Sequence, residues 1–155
     1  MYIRNANTSE SVTLVFNKLR KKLGDDFKKV FPLILGDRGS EFSNPSAIEI
    51  NVDTGEIENR FYYCDPQQTN QKSRCERNHE YIRYIIPKGT SLDDFTQDDI
   101  DLVMNHVNSM PRGSLNATTP IQLFIDIYGI ETARRLGLEY ISLEQLCLTP
   151  KLLKK

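Results

Sequence analysis

The feature that most constrains this chain is an apolar run too short to make a helix of its own. Phe31-Pro32-Leu33-Ile34-Leu35-Gly36 stops on an acid, Asp37. A run of that length fits a buried strand. The segment before it has a different period. Val12, Val15, Phe16, Leu19 and Leu23 recur at helical spacing, which predicts a helix from about Asn7 to Leu23. Asn7 and Glu10 stand in capping-box spacing, and Gly24 occupies the place of a left-handed C-terminal residue. Lys18, Arg20, Lys21 and Lys22 fall on the remaining faces and read as solvated surface. Met1–Asn5 reads as a further short strand. Arg60–Cys64, rich in aromatics, reads as another and ends at Asp65-Pro66. Between the strands, residues 38–59 are turn-rich, most clearly at Asp53-Thr54-Gly55-Glu56.

The second half is helical in pattern. A helix is predicted from Ser73 to Ile86, closed by Pro87-Lys88-Gly89. Thr96 caps the next, whose apolar face is Ile100, Val103, Met104 and Val107, with Pro111 ending it. Thr119-Pro120 supplies the N-cap and first-turn residues of a third. From Gly129 onward the tail reads as mostly helical. Strands followed by packed helices predict an α/β fold. We place a core at 1–128 and a helical extension at 129–155.

Composition excludes several classes. Across 155 residues the apolar share is 39% and the charged share 26%, as in globular domains. A net charge of −1 argues against a small basic DNA-binding module, although it leaves room for local contacts. No apolar run reaches the roughly 18 residues that span a bilayer. The first residues lack a signal peptide's apolar stretch, so a cytoplasmic protein without membrane partners is expected. Three widely spaced cysteines, Cys64, Cys75 and Cys147, do not form a disulfide framework, and reduced thiols are expected.

Two acids stand in positions suited to chemistry. Asp37 ends a strand, where α/β proteins open a crevice to ligands, with Gly39 allowing a tight turn. It can equally cap that turn. Glu76 lies three residues after Ser73, which is capping-box spacing; alternatively it shares a divalent cation with Asp37. The residues alone lean toward the cap.

A set of motifs shifts that weighing. Leu35-Gly36-Asp37-Arg38-Gly39-Ser40-Glu41-Phe42 is similar to the T-D-N-G-x-E-F motif of retroviral-type integrases and insertion-sequence transposases. Tyr63-Cys64-Asp65-Pro66, with Gln71-Lys72-Ser73-Arg74-Cys75-Glu76-Arg77-Asn78-His79, resembles their segment around the last catalytic Glu. Ile82-Arg83-Tyr84-Ile85-Ile86-Pro87-Lys88-Gly89-Thr90 resembles an L-I-R-R-x-x-P-K-G-T run. Pro111-Arg112-Gly113-Ser114-Leu115-Asn116 with Thr119-Pro120 matches a P-R-x-x-L-N-x-x-T-P signature. Both belong to the DDE transposase family named for insertion sequence thirty.

The resemblance implies a ribonuclease-H-like integrase core in which Asp, Asp and Glu grip two Mg2+ or Mn2+ ions. Residue by residue, Asp37 is the second acid and Glu76 the third. Lys72, Arg74 and Arg77 would steady the backbone of the DNA, whose transposon ends and target are the implied partners.

The sequence departs from the pattern at three points. Arg38 replaces the usual Asn and Ser73 a common Gly. The gap from Asp37 to Glu76 runs slightly long. The first acid's strand finds no counterpart, because Glu10, Asp25 and Asp26 lie in or just after a helix. A core truncated at its N-terminal strands, inactive alone and prone to self-association, is therefore expected. The alternative is a non-catalytic module that binds DNA or pairs with an intact transposase and interferes with it. A zinc site of Cys64, Cys75 and His79 is a weaker reading, because it lacks the close cysteine pair of structural zinc sites.

Overall fold

A computed structural model describes residues 1–65 and 73–153, the side chains of residues 73–76 excepted. The chain divides into two compact units, Arg4–Lys72 and Met1–Ile3 with Ser73–Lys155.

The first unit is mixed α/β. Helix α1 spans Ser9–Leu23 and buries Val12, Leu19 and Leu23. Its N-cap is Thr8, whose hydroxyl accepts the Ser11 N–H at 3.3 Å. Asn7, expected in that role, instead accepts a bond from Arg4 at 3.0 Å. Gly24 ends the helix at φ +56°, a conformation that favours glycine. The short helix α2, Phe27–Val30, follows and buries Phe27 completely. Strands β1, Leu33–Gly36, and β2, Arg60–Tyr63, pair in parallel with Ile34 opposite Phe61 and Gly36 opposite Tyr63. Between them lie a 3-10 turn, Ser40–Phe42, and helix α3, Pro45–Glu49, capped by Asn44. The expected Asp53–Glu56 turn forms with Gly55 at φ +73°, and an Ile50–Ile57 bridge closes it. Val12, Ile48 and Phe61 form the core, joined by Phe16, Ile34 and Phe42.

Two expectations fail here for tertiary reasons. The run at β1 is not buried on both faces. Ile34 and Gly36 face the core, while Leu33 and Leu35 are about half exposed, at 53% and 51%. Arg20 is not on a solvated face either. It is buried, its Nε donating to Glu58 at 2.8 Å and its guanidinium lying 4.8 Å from the Phe27 ring.

The second unit is helical. Helix α4 spans Ser73–Ile85, α5 Gln97–Asn108, α6 Pro120–Tyr128 and α7 Ile130–Arg135. Thr96 and Asp99 make a reciprocal capping box on α5, and Thr119 caps α6. Ile85, Ile86, Ile100, Val103 and Val107 are the core. Met1–Ile3 is not a strand. Its backbone bonds to Gln97 instead, with the Ile3 N–H donating at 3.1 Å and the Met1 carbonyl accepting at 3.0 Å. No helix among the described residues is long and apolar enough to cross a membrane.

The tail is less helical than its pattern predicts. After α7 it runs as a strap along α5 before a last 3-10 turn, Pro150–Leu153. Three buried polar side chains, two on α5 and one on its C-cap Ser109, hold the strap through its backbone. Asn105 donates to the Gly137 carbonyl and accepts from the Glu139 N–H, each at 3.2 Å. Ser109 accepts from Ile141 at 2.9 Å, and His106 Nδ1 accepts from Cys147 at 3.1 Å. Bonds of this kind satisfy the backbone without a helical ladder.

The strap carries a pH dependence. Burial lowers the pKa of His106 from its ordinary 6.5, and Nδ1 can accept the Cys147 N–H only while unprotonated. A depressed folded pKa means a stability contribution present above pH ~6.5 and lost as pH falls toward the folded value. Denaturant titrations at pH 7.5 and 5.5 should show the second unit weakening at the lower pH. In His106→Asn the difference should shrink; an unchanged difference would assign it to other groups.

Candidate functional site

The strand pair aims its C-terminal ends in one direction. The ladder continues one residue past β2, where the Cys64 N–H donates to the Gly36 carbonyl at 2.8 Å. Asp37 is the next residue, exposed at the end where α/β sheets open to ligands. Its Oδ1 accepts the Gly39 N–H at 3.2 Å, the local turn that Asp favours. The capping bond and the strand-end position therefore coexist at Asp37. Gly39 itself has φ −63°, open to any residue, so the turn does not require glycine there. A side chain at 39 would instead meet the Glu41 carboxylate, a flexible group.

An aromatic floor missed by the sequence reading sets the loop after Asp37. Phe42 and Phe61 lie 5.5 Å apart, Phe61 and Tyr63 5.2 Å. The Tyr63 hydroxyl donates to the Phe42 carbonyl at 2.5 Å. The signal was present as an aromatic-rich β2 and a Phe two residues after Ser40, but pairing them needed the register. On the other edge of β2, Glu49 accepts the Phe61 N–H at 2.8 Å. Two clefts of this unit, about 170 and 310 Å3, are lined around Arg20 and Asn51 and around Leu14 and Asn44; neither contains Asp37.

The other candidate residues lie on or before α4. Arg77 is an exposed residue of that helix. Glu76 and Arg74 belong to the same helix, but their side chains lie outside the described residues, as does Lys72 entirely. Asp37 and Arg77 are thus the candidates whose surroundings are visible. The donor chemistry at Asp37, a hard exposed oxygen, suits a magnesium-like cation. Among the described residues no three His, Cys, Asp or Glu side chains gather as a metal site. Of the zinc candidates, Cys64 is a free thiol, His79 is exposed, and the Cys75 side chain is outside the described residues.

Comparison with known proteins gives the functional context. The chain is 32% identical, over 98 residues, to the transposase for insertion sequence element IS1086 of Cupriavidus metallidurans; the match covers 63% of this chain and 27% of that transposase. It is 37% identical over 87 residues to the transposase for IS30A of Escherichia coli K12, covering 56% and 21%. This chain is homologous to IS30-type insertion-sequence transposases. A third IS transposase, for IS4351 of Bacteroides fragilis, is 30% identical over 100 residues, covering 64% and 29%. The IS30-type homology thus spans about a quarter of the length of these curated relatives. No family model and no solved structure matches the chain.

Proposed function

We propose that the chain is the part of an insertion-sequence transposase core that carries two of its metal-binding acids, Asp37 and Glu76. Its substrates are the transposon ends and target DNA, met in the cytoplasm. The observation that carries this reading is the homology to transposases together with an exposed Asp at the end of a parallel strand pair. In this reading residues 1–128 are part of a ribonuclease-H-like integrase core and residues 129–155 an extension of it.

The chain's own residues would act as follows. Asp37 presents its carboxylate beyond Gly36, and Glu76 supplies a second from α4. Each would hold Mg2+ or Mn2+ through hard oxygens. Bound divalent metal supplies Lewis-acid stabilisation of the attacking and leaving oxygens in phosphodiester displacement. Lys72, Arg74 and Arg77 would hold the DNA backbone by charge.

Two-metal displacement requires acids facing both ions, and two assigned carboxylates are too few. Purified chain with labelled duplex DNA and Mg2+ or Mn2+ should therefore show neither cleavage nor joining. Mn2+ should bind weakly, and Asp37→Asn should abolish that binding. Cleavage that survives purification and disappears in Glu76→Gln would overturn the inactivity. Mn2+ affinity indifferent to Asp37→Asn would overturn the metal assignment.

A non-catalytic module that binds DNA or pairs with an intact transposase is the second reading. What favours it is that, among the described residues, no three His, Cys, Asp or Glu side chains gather as a metal site. DNA retention in chelator, unaffected by Asp37→Asn, would select it.

A further inference from the structure

The Pro111-Arg112-Gly113-Ser114-Leu115-Asn116 signature takes no part in the chemistry above, yet Arg112 is among the most enclosed charges of the second unit, only 7% exposed. Its guanidinium carbon lies 3.7 Å from the centre of the Tyr81 ring on α4. Its Nη2 donates to the Val107 carbonyl at 3.0 Å, in the last turn of α5, where carbonyls lack helical partners and the dipole favours a cation. Nη1 is buried with no hydrogen-bond partner. A planar fork stacked on a ring while bonding at its edge is an arrangement open to Arg and not to Lys.

The backbone at 112 is equally fixed. Its N–H donates to the Thr118 carbonyl at 3.1 Å, and its carbonyl accepts from Leu115 and Ala117, each at 3.0 Å. That closure holds Asn116 and Ala117 at φ +52° and +63°, a region costly for Ala. The loop thus spends conformational strain on presenting one side chain between two helices.

We infer that Arg112 is the positioning residue of α4, clamping Tyr81 against the C-terminal end of α5 and so fixing the helix that carries Glu76. The clamp stands on the geometry alone; what it positions rests on the function proposed above. Tyr81 lies five residues after Glu76, about 7.5 Å along the helix. Ile85 and Ile86 anchor the far end of α4 in the core. Tyr81 is the anchor nearer Glu76.

Hydrogen exchange by mass spectrometry on the whole chain tests this. Arg112→Gln and Tyr81→Leu should each speed exchange across residues 77–85 by about tenfold or more, as the loss of a desolvated cation–π contact requires. Combining the two should add nothing, because one contact is broken either way. Tyr81→Phe keeps the ring and should match the wild type; Arg112→Lys should recover little. Exchange in α1 should not move. Additive effects, or wild-type behaviour of Arg112→Lys, would overturn the clamp.

Mn2+ titration of the same proteins then ties the clamp to the site. Affinity should fall in Arg112→Gln and hold in Tyr81→Phe. A wild-type chain that binds no Mn2+ would remove the metal assignment of Glu76, while the exchange result would still decide for or against Arg112.

Discussion

Gly36→Ala is expected to destabilise the first unit by roughly 1–3 kcal/mol, the usual cost of forcing a methyl group into a packed core. A Cβ at position 36 would lie 3.0 and 3.2 Å from two ring carbons of Phe61, and closer still to its Cζ. Gly36 does not have a positive φ, so the penalty is steric rather than conformational. The ring has little room to retreat. It is 8% exposed, flanked by Phe42 and Tyr63, and its backbone is held by Glu49. Because Asp37 is the next residue, the substitution should also disturb the strand end that presents it. Denaturant unfolding would measure the loss. Phe61→Leu in the same chain should return part of it by shortening the side chain beneath. A Gly36→Ala protein as stable as the parent would show that the ring is not confined as described.

Glu58→Ala should cost more, about 3–5 kcal/mol, because it strands a buried charge. Arg20 and Glu58 have side chains only 7% and 10% exposed. Arg20 also donates to Asn17 Oδ1 at 3.0 Å and to the Ile48 carbonyl, and Glu58 accepts from Asn51 Nδ2 at 3.0 Å. The network joins α1 to α3 and to the turn before β2, so its loss should be felt across the unit. Removing one partner leaves the other desolvated without compensation, whereas replacing both by apolar residues often costs little. Arg20→Met with Glu58→Leu should therefore recover most of what Glu58→Ala loses. The Lys28–Glu56 pair, with side chains 48% and 64% exposed, provides the contrast. Solvent screens it, and Glu56→Ala should change stability little. Equal effects of Glu56→Ala and Glu58→Ala would refute this division between buried and exposed pairs.

The helices were legible because their signals are local. Thr96 and Asp99, Thr119 and Pro120, and Gly24 sit where a cap or a left-handed residue is needed. The strands at Leu33–Gly36 and Arg60–Tyr63 were legible from run length and aromatic content. The candidate site was legible in part. Asp37 appears at the strand end its sequence position implied. The Phe42–Phe61–Tyr63 floor beneath its loop joins residues far apart in the chain, and no local pattern announces it.

By itself the sequence determined the two strands and the capped helices, the strand-end place of Asp37 and the kinship with IS30-type transposases, because caps, periods and motifs are written in near neighbours. Only the tertiary structure decided which charges leave water. Arg20 reads as solvated in the linear pattern and Arg112 only as part of a motif, yet each is 7% exposed, one neutralised by Glu58 and the other stacked on Tyr81. It also decided that Met1–Ile3 bonds to Gln97 instead of joining a sheet, and that the tail follows Asn105, His106 and Ser109 instead of coiling. In each case the partner is distant in sequence. A buried polar group takes whichever partner the packed chain brings within reach.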